Sequence, residues 1–369
     1  MFYNNKRKEE PYYKVNVSSE PVDSEWDNFV LQCDGGHYAQ TALWAQARTS
    51  RNWYSLRIVL KEADKIVAGA QILFRKFSFI GSVGYLFRGP VCDNSDTKLN
   101  KLLVDEILKV CKKKHIFYLV LKPACNGEPF AHQLPEVGFQ NVTELYGDIA
   151  SIAIDLTQDI DTIIAHMART KRQKIHHTEH GNEITIRQGT QKDIPDFYRV
   201  YTYSSQRIGY TPAPEIYYHK LWEIFEPRGY LKLFLFEYEG EPVTALMVIP
   251  FKDTVNAYKI GWSGAYKNLY PNDLVWWEAI RWAKSNGYHY FDFGGVCLET
   301  AKAFQQNKPI KDVKIDTSSK FKLDFGGQIT CFPDTFDNIN LPLLNWGFRT
   351  LFPLIKNSPI MKKMISLGH

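Results

Sequence analysis

The feature that most constrains the fold is one succession of elements written twice, about 175 residues apart, with little sequence shared between the copies. In the first copy residues 56–60 and 66–74 are β-prone apolar runs around Lys61-Glu62-Ala63-Asp64; in the second, residues 231–238 and 242–250 flank Glu239-Gly240-Glu241. Apolar runs separated by a short polar turn predict a hairpin. Each hairpin is followed by another strand, at 84–91 or 255–262, and then by a helix. Leu99, Leu102, Leu103, Ile107 and Val110 keep helical spacing behind Asp96-Thr97, and Asn272-Asp273 precedes the helical run 274–283. Each helix feeds a strand, at 115–121 or 288–293. A strand, helix and strand of this length form a parallel crossover. Each copy therefore predicts a mixed sheet with an antiparallel start and a parallel centre.

At 369 residues the chain exceeds the reach of one hydrophobic core, which fits two domains. The expected division is 1–160, 161–335 and a basic, aromatic-rich tail at 336–369. With 44% hydrophobic and 23% charged residues the chain should fold. Six scattered cysteines without a C-x-x-C read as reduced thiols, neither zinc ribbon nor disulfide scaffold. The segment Met1 to Glu10 is charged and no apolar run approaches a membrane span, so the expectation is a cytoplasmic chain. The net charge of +5 is modest but unevenly placed. One concentration is Arg169, Lys171, Arg172 and Lys174, whose surroundings suggest a basic helix. The other follows Asp337, beyond which the sequence has no acid but carries Arg349, Lys356, Lys362 and Lys363 among leucines and aromatics. That tail can rest on a membrane surface or pack on the core; Pro342, Pro353 and Pro359 interrupt a long amphipathic helix and favour packing.

The repeated plan is that of the GNAT acetyltransferase fold: two tandem α/β domains with mixed sheets. Separated segments carry a narrower resemblance. These are residues 37–48, with Gln40, Trp44 and Arg48; Arg88-Gly89-Pro90-Val91; the basic run 171–174; Arg207-Ile208-Gly209-Tyr210, followed by Tyr217-Tyr218; the segment 290–295; and Phe321-Lys322, within 321–327. In order and spacing they resemble the Fem family of peptidoglycan-bridge transferases. No sustained heptad run is present, so the resemblance is to members without a coiled-coil arm.

That resemblance implies an aminoacyltransferase with aminoacyl-tRNA as donor and the stem-peptide amine of a nucleotide- or lipid-linked peptidoglycan precursor as acceptor. It implies acceptor binding in the first domain and the donor side in the second. Ester aminolysis needs a neutral amine, a stabilised oxyanion and a route for protons to the departing ribose oxygen, but no metal or cofactor. Lys322 matches the family's lysine and would stabilise the oxyanion. Arg48 and Arg207 match positions that hold the acceptor's diphosphate, a task that suits planar, bidentate guanidinium groups. Trp44, Tyr210 and Tyr258 join them as substrate-binding candidates. Asp292 can act as a base or as a hydrogen-bonded strand-end carboxylate, and the second role is favoured. Arg169, Lys171, Arg172 and Lys174 are candidates for a tRNA phosphate track.

The sequence also bounds the alternatives. The segments 89–96 and 261–268 lack the glycine-rich pyrophosphate loop of CoA-dependent GNAT domains, which disfavours an acyl-CoA donor without removing a CoA- or carrier-dependent acyltransferase from the field. A non-catalytic tRNA- or precursor-binding protein is the remaining class, and the pairing of Lys322 with Arg48 speaks against it. His176-His177-Thr178-Glu179-His180 spells H-x-x-E-H, but short motifs recur by chance and no metal site is expected.

Overall fold

A computed structural model describes residues 12–77, 81–92, 96–146, 149–177, 183–308, 313 and 315–355, and within 351–355 the backbone alone. These form two compact units.

The first unit is built on a sheet of β1 (Lys14–Ser18), β2 (Tyr54–Glu62), β3 (Lys65–Phe77), β4 (Gly81–Phe87), β5 (Val91–Cys92), β6 (Ile116–Lys122), β7 (Gln140–Asn141) and β15 (Phe336–Ile339). Its order is β1-β2-β3-β4-β6-β15-β7, with β5 beside β3. The predicted hairpin is β2–β3, and both of its turn residues, Ala63 and Asp64, take positive φ, the geometry that matches strand twist. Helices α1 (Ser24–Gln32), α2 (Ala42–Thr49), α3 (Thr97–Lys113) and α4 (Glu128–Ala131) accompany the sheet, and α13 (Pro342–Ile355) follows β15. The Asp96 carboxylate caps α3 by accepting from the Leu99 N–H at 2.9 Å, and Leu99, Leu103, Val104, Ile107 and Val110 turn into the core. The crossover is parallel, β4 pairing β6 at six positions from Ser82 to Phe87.

The second unit repeats this plan. Its sheet comprises β8 (Ala150–Asp155), β9 (Ile184–Gln188), β10 (Lys232–Tyr238), β11 (Glu241–Phe251), β12 (Thr254–Trp262), β13 (Tyr290–Gly295) and β14 (Gln328–Cys331), in the order β14-β8-β13-β12-β11-β10-β9. The predicted hairpin is β10–β11, again with positive φ at both turn residues, Glu239 and Gly240. Around it lie α5 (Thr143–Tyr146), α6 (Ile160–His166), α7 (Arg169–His177), α8 (Ile194–Arg207), α9 (Glu215–Phe225), α10 (Pro271–Ser285), α11 (Leu298–Gln305) and α12 (Thr317–Leu323). The β12 and β13 strands are parallel, but they pair at only three positions, Thr254, Val255 and Asn256 against Tyr290, Phe291 and Asp292. Beyond Asp292 the two strands part. In the first unit the equivalent strands stay joined, so the copies differ at their centres.

Three expectations need correction. The division falls near residue 142 and not at 160, because β8 pairs with β13 and β14 in the second sheet. The segment from 336 is no separate tail: β15 pairs β6 antiparallel as a strand of the first sheet. Two of its prolines fall within a helix: Pro342 occupies the first position of α13, where a missing N–H costs nothing, and Pro353 lies in its last described turn. Among the described residues no helix is long and apolar enough to cross a membrane.

Candidate active site

The second unit has two chemically distinct clusters, one on each side of the gap between β12 and β13. The first begins with residues 46–53, which pack with this unit. Arg48, near the end of α2, is 4% exposed, and its guanidinium lies 5.5 Å from the Trp53 ring centroid. Arg51 stands over the Tyr217 ring of α9 at 5.6 Å, and the Tyr217 hydroxyl is 2.7 Å from the Tyr258 hydroxyl. Pairing of β12 with β11 slips here: Met247 opposes Lys259 while Val248 opposes Ala257, leaving Tyr258 as the extra residue of a bulge. A regular strand sends neighbouring side chains to opposite faces; a bulge re-aims one of them. The Lys259 ammonium accordingly lies 5.0 Å from the Tyr258 ring and 5.8 Å from that of Tyr210.

Burial, reinforced by the Arg48 and Arg51 charges, lowers the Lys259 pKa to about 8. The Tyr258 phenol is pushed well above its ordinary value, chiefly by burial and then by Tyr217 and Tyr218, with Arg48 opposing. A polyanion entering here would relieve the crowding of positive charge and find hydroxyl groups for its remaining oxygens. Three residues further along β12, roughly 10 Å at the rise of a strand, the Arg207 guanidinium is 5.0 Å from the Trp262 ring and 5.8 Å from that of Tyr203. A side chain on Gly264 would collide with Arg207, its Cβ falling 2.8 Å from Nη1, and the φ of +85° at this position is one that glycine accepts readily.

The second cluster sits where β13 ends. Lys322, in the last turn of α12, donates from Nζ to the Gly295 carbonyl at 2.6 Å and to that of Gly294 at 3.4 Å. Asp292 accepts from the Gly294 N–H at 2.7 Å, which fixes the turn carrying those carbonyls. A Cβ on Gly294 would stand 3.9 Å from the Ala257 carbonyl oxygen, so the lysine's anchor faces β12 beside Tyr258 across the gap. Asp292 is thus a hydrogen-bonded carboxylate at the strand end, and we propose that this is its role. Asp292→Asn keeps an acceptor for Gly294, and its turnover should fall less than about tenfold, a change of under about 1.4 kcal/mol in the barrier; steady-state kinetics checks this, and a larger loss makes Asp292 a proton carrier.

Beneath Lys322 the helix is held from below. The Lys171 ammonium lies 3.6 Å from the Phe321 ring centroid and 4.2 Å from that of Phe325, and it donates to Asp273 Oδ1 at 2.7 Å. Lys171 is 2% exposed and Asp273 is 6% exposed, in the first turn of α10, where a carboxylate also meets the helix dipole favourably. This corrects the expected phosphate track. Lys171 is inside the unit, Lys174 reaches Asp273 at 3.7 Å, and Arg172 donates to the Ala165 and Met167 carbonyls at 3.0 and 2.6 Å, tying α7 to α6. Of the four, Arg169 is exposed, Arg172 and Lys174 are half-buried, and Lys171 is buried.

Trp44 is likewise a packing residue of the first unit, 8% exposed and edge-on to Tyr38. Gln40 of the same motif bonds the backbones of Phe87 and Gln71, both at 2.8 Å. The acceptor-binding candidates Arg48, Tyr210 and Tyr258 come together in the second unit, against the expectation of the first. Arg51 and Lys259 were not singled out by sequence reasoning, and Tyr217 entered only as part of a matched segment. A lysine inside the otherwise β-prone run Val255-Asn256-Ala257-Tyr258-Lys259-Ile260 was the one signal available for Lys259. Residues 93–95 of the loop after β5, 178–180 of the H-x-x-E-H run, and Lys356, Pro359, Lys362 and Lys363 lie outside the described residues.

Comparison with known proteins follows this geometry. Residues 22–157 match the FemAB family and residues 165–305 the acetyltransferase (GNAT) domain. Over these two segments the chain is similar to the FemAB family and to the GNAT domain. It is 25% identical over 244 residues to lipid II:glycine glycyltransferase of Staphylococcus saprophyticus, covering 62% of this chain and 57% of that protein. It is 22% identical over 299 residues to the UDP-N-acetylmuramoylpentapeptide-lysine N(6)-alanyltransferase of Weissella viridescens, covering 78% and 88% respectively. The chain thus spans little more than half of the glycyltransferase and most of the alanyltransferase. The crystal structure of FemX superposes with a TM-score of 0.75 at 17% identity, over 90% of this chain and 99% of that one. The fold is the tandem GNAT arrangement, in which each unit above is one copy.

Proposed function

We propose that this protein is an aminoacyltransferase that forms an amide between an aminoacyl group delivered by aminoacyl-tRNA and the stem-peptide amine of a peptidoglycan precursor in the cytoplasm. The observation that carries the reading is the placement of a lysine ammonium and a half-buried cationic, tyrosine-lined cluster on the two sides of one parted strand pair. Two relatives, by their names, attach an amino acid to a lipid II or a UDP-linked muramoyl pentapeptide acceptor. Both acceptors carry a diphosphate, the kind of anion that Arg48, Arg51 and Lys259 suit. The acceptor amine attacks the ester carbon; Lys322 stabilises the oxyanion that forms; collapse expels the ribose oxygen, which takes up a proton as the amine gives one up. Acyl transfer of this kind needs no covalent enzyme intermediate.

Purified protein incubated with a charged tRNA pool and UDP-linked muramoyl pentapeptide should yield a product heavier by one aminoacyl residue, and ribonuclease treatment of the donor should abolish it. Transfer from acyl-CoA alone overturns the reading. Acceptor binding should also depend on pH. Lys259 carries its charge below about 8 and loses it above, so affinity should fall as pH rises through that value. Titration calorimetry with the UDP-linked acceptor from pH 6.5 to 9.5 should show this inflection. Lys259→Met should remove the inflection and weaken binding by about tenfold or more, as the loss of a charged hydrogen bond worth about 1.5–3 kcal/mol requires. An unchanged inflection in the variant assigns the titration elsewhere.

A further inference from the structure

Among the described residues, contacts of Asn345, Phe348 and Arg349 hold the helix α13 to the first unit. The Phe348 ring lies 5.8 Å from the Tyr118 ring of β6. The Arg349 guanidinium pairs with the fully buried Asp337 carboxylate of β15, one contact being 3.1 Å, and its Nε donates to Asn345 Oδ1 at 3.2 Å. These contacts fix the rotation of the helix. Positions three and four apart share a helix face, so with 345, 348 and 349 turned inward, 343, 346 and 350 turn outward. Leu343 is 85% exposed and Trp346 71%, with Leu344 at 43% and Leu341 at 40% beside them. Four large apolar side chains within six residues make a patch, unlike the scattered single exposures normal to a protein surface.

We propose that this outward face of α13 is a membrane-surface contact, inserting Leu343, Leu344 and Trp346 at the headgroup boundary of an anionic bilayer. Charge selects this occupant over a second copy of the chain. Arg349 is taken up by Asp337, but the sequence after α13 carries Lys356, Lys362 and Lys363, and from residue 338 onward it has no acidic residue, which suits an anionic leaflet and opposes the approach of an identical segment. A tryptophan beside leucines is the side-chain set of the water–lipid boundary. The 14 described residues of α13 span roughly 21 Å at the rise of an α-helix, less than the thickness of a bilayer core, and the exposed side chains lie along its length, which suits a helix resting along the surface.

The test uses the full chain and needs neither donor nor acceptor, so it stands or falls apart from the proposed reaction. In flotation with vesicles, those containing phosphatidylglycerol should retain the protein at least tenfold better than pure phosphatidylcholine vesicles. The surface variant Leu343→Ser/Trp346→Ser should lose that retention while keeping its melting temperature. As a second readout, the fluorescence difference between the unsubstituted protein and Trp346→Phe should be quenched by brominated lipid. Absence of vesicle binding, equal binding by the double variant, or sedimentation showing a dimer that the substitutions split would each overturn the assignment.

Discussion

Lys322→Ala should lower turnover by on the order of 10² to 10³, about 3–4 kcal/mol of barrier, the usual cost of deleting one preorganised oxyanion donor. The physical ground is its anchorage. An ammonium fixed at 2.6 Å by the Gly295 carbonyl is already oriented before charge develops, so it spends no reorganisation in the transition state. Acceptor affinity should change little, since the cations that suit the diphosphate belong to the opposite cluster. Single-turnover measurement with saturating charged tRNA separates the two effects. A variant that keeps the rate but raises the acceptor Kd would make Lys322 a binding residue and remove it from the chemistry.

The second large effect is expected at Lys171. Lys171→Met leaves the Asp273 carboxylate buried without its closest partner, at 2.7 Å, and removing one member of a buried pair costs about 3–5 kcal/mol. For a unit of this size the melting temperature should drop by on the order of 10 °C. Replacing both, Lys171→Met with Asp273→Leu, should recover most of the loss, because the cost lies in the stranded charge. Calorimetric scanning of the three variants decides: a single variant within about 2 °C of the parent, small beside the shift expected for a stranded charge, would mean that water reaches Asp273.

The same pair shows where sequence reading stopped. Apolar runs and helical periods are local, and they gave the hairpins, both crossover helices and the tandem plan. The run 169–174 is also local, and its composition reads as a phosphate track. Only the tertiary position of Asp273, about a hundred residues away, turns Lys171 inward. Arg48, Arg207, Tyr210, Tyr258 and Lys322 were legible because a family resemblance points at them. Lys259 escaped because the bulge at Tyr258 is a property of pairing with β11, and no residue in β12 announces it. The domain boundary was missed for a like reason, since β8 reads as the end of one copy and pairs with the strands of the other.

That bulge works as a parity switch. One extra residue in β12 decides whether Lys259 shares a side with Tyr258 or is turned away from it, and every position downstream inherits the choice. Shortening the strand by a single residue would leave its composition, charge and length of pairing almost untouched while changing the side to which Lys259 points relative to its neighbours. Substitutions along β12 are therefore graded in their effect, whereas a one-residue deletion acts all at once. A comparison of the two copies that ignores this counting will place Lys259 opposite the wrong residue of β4.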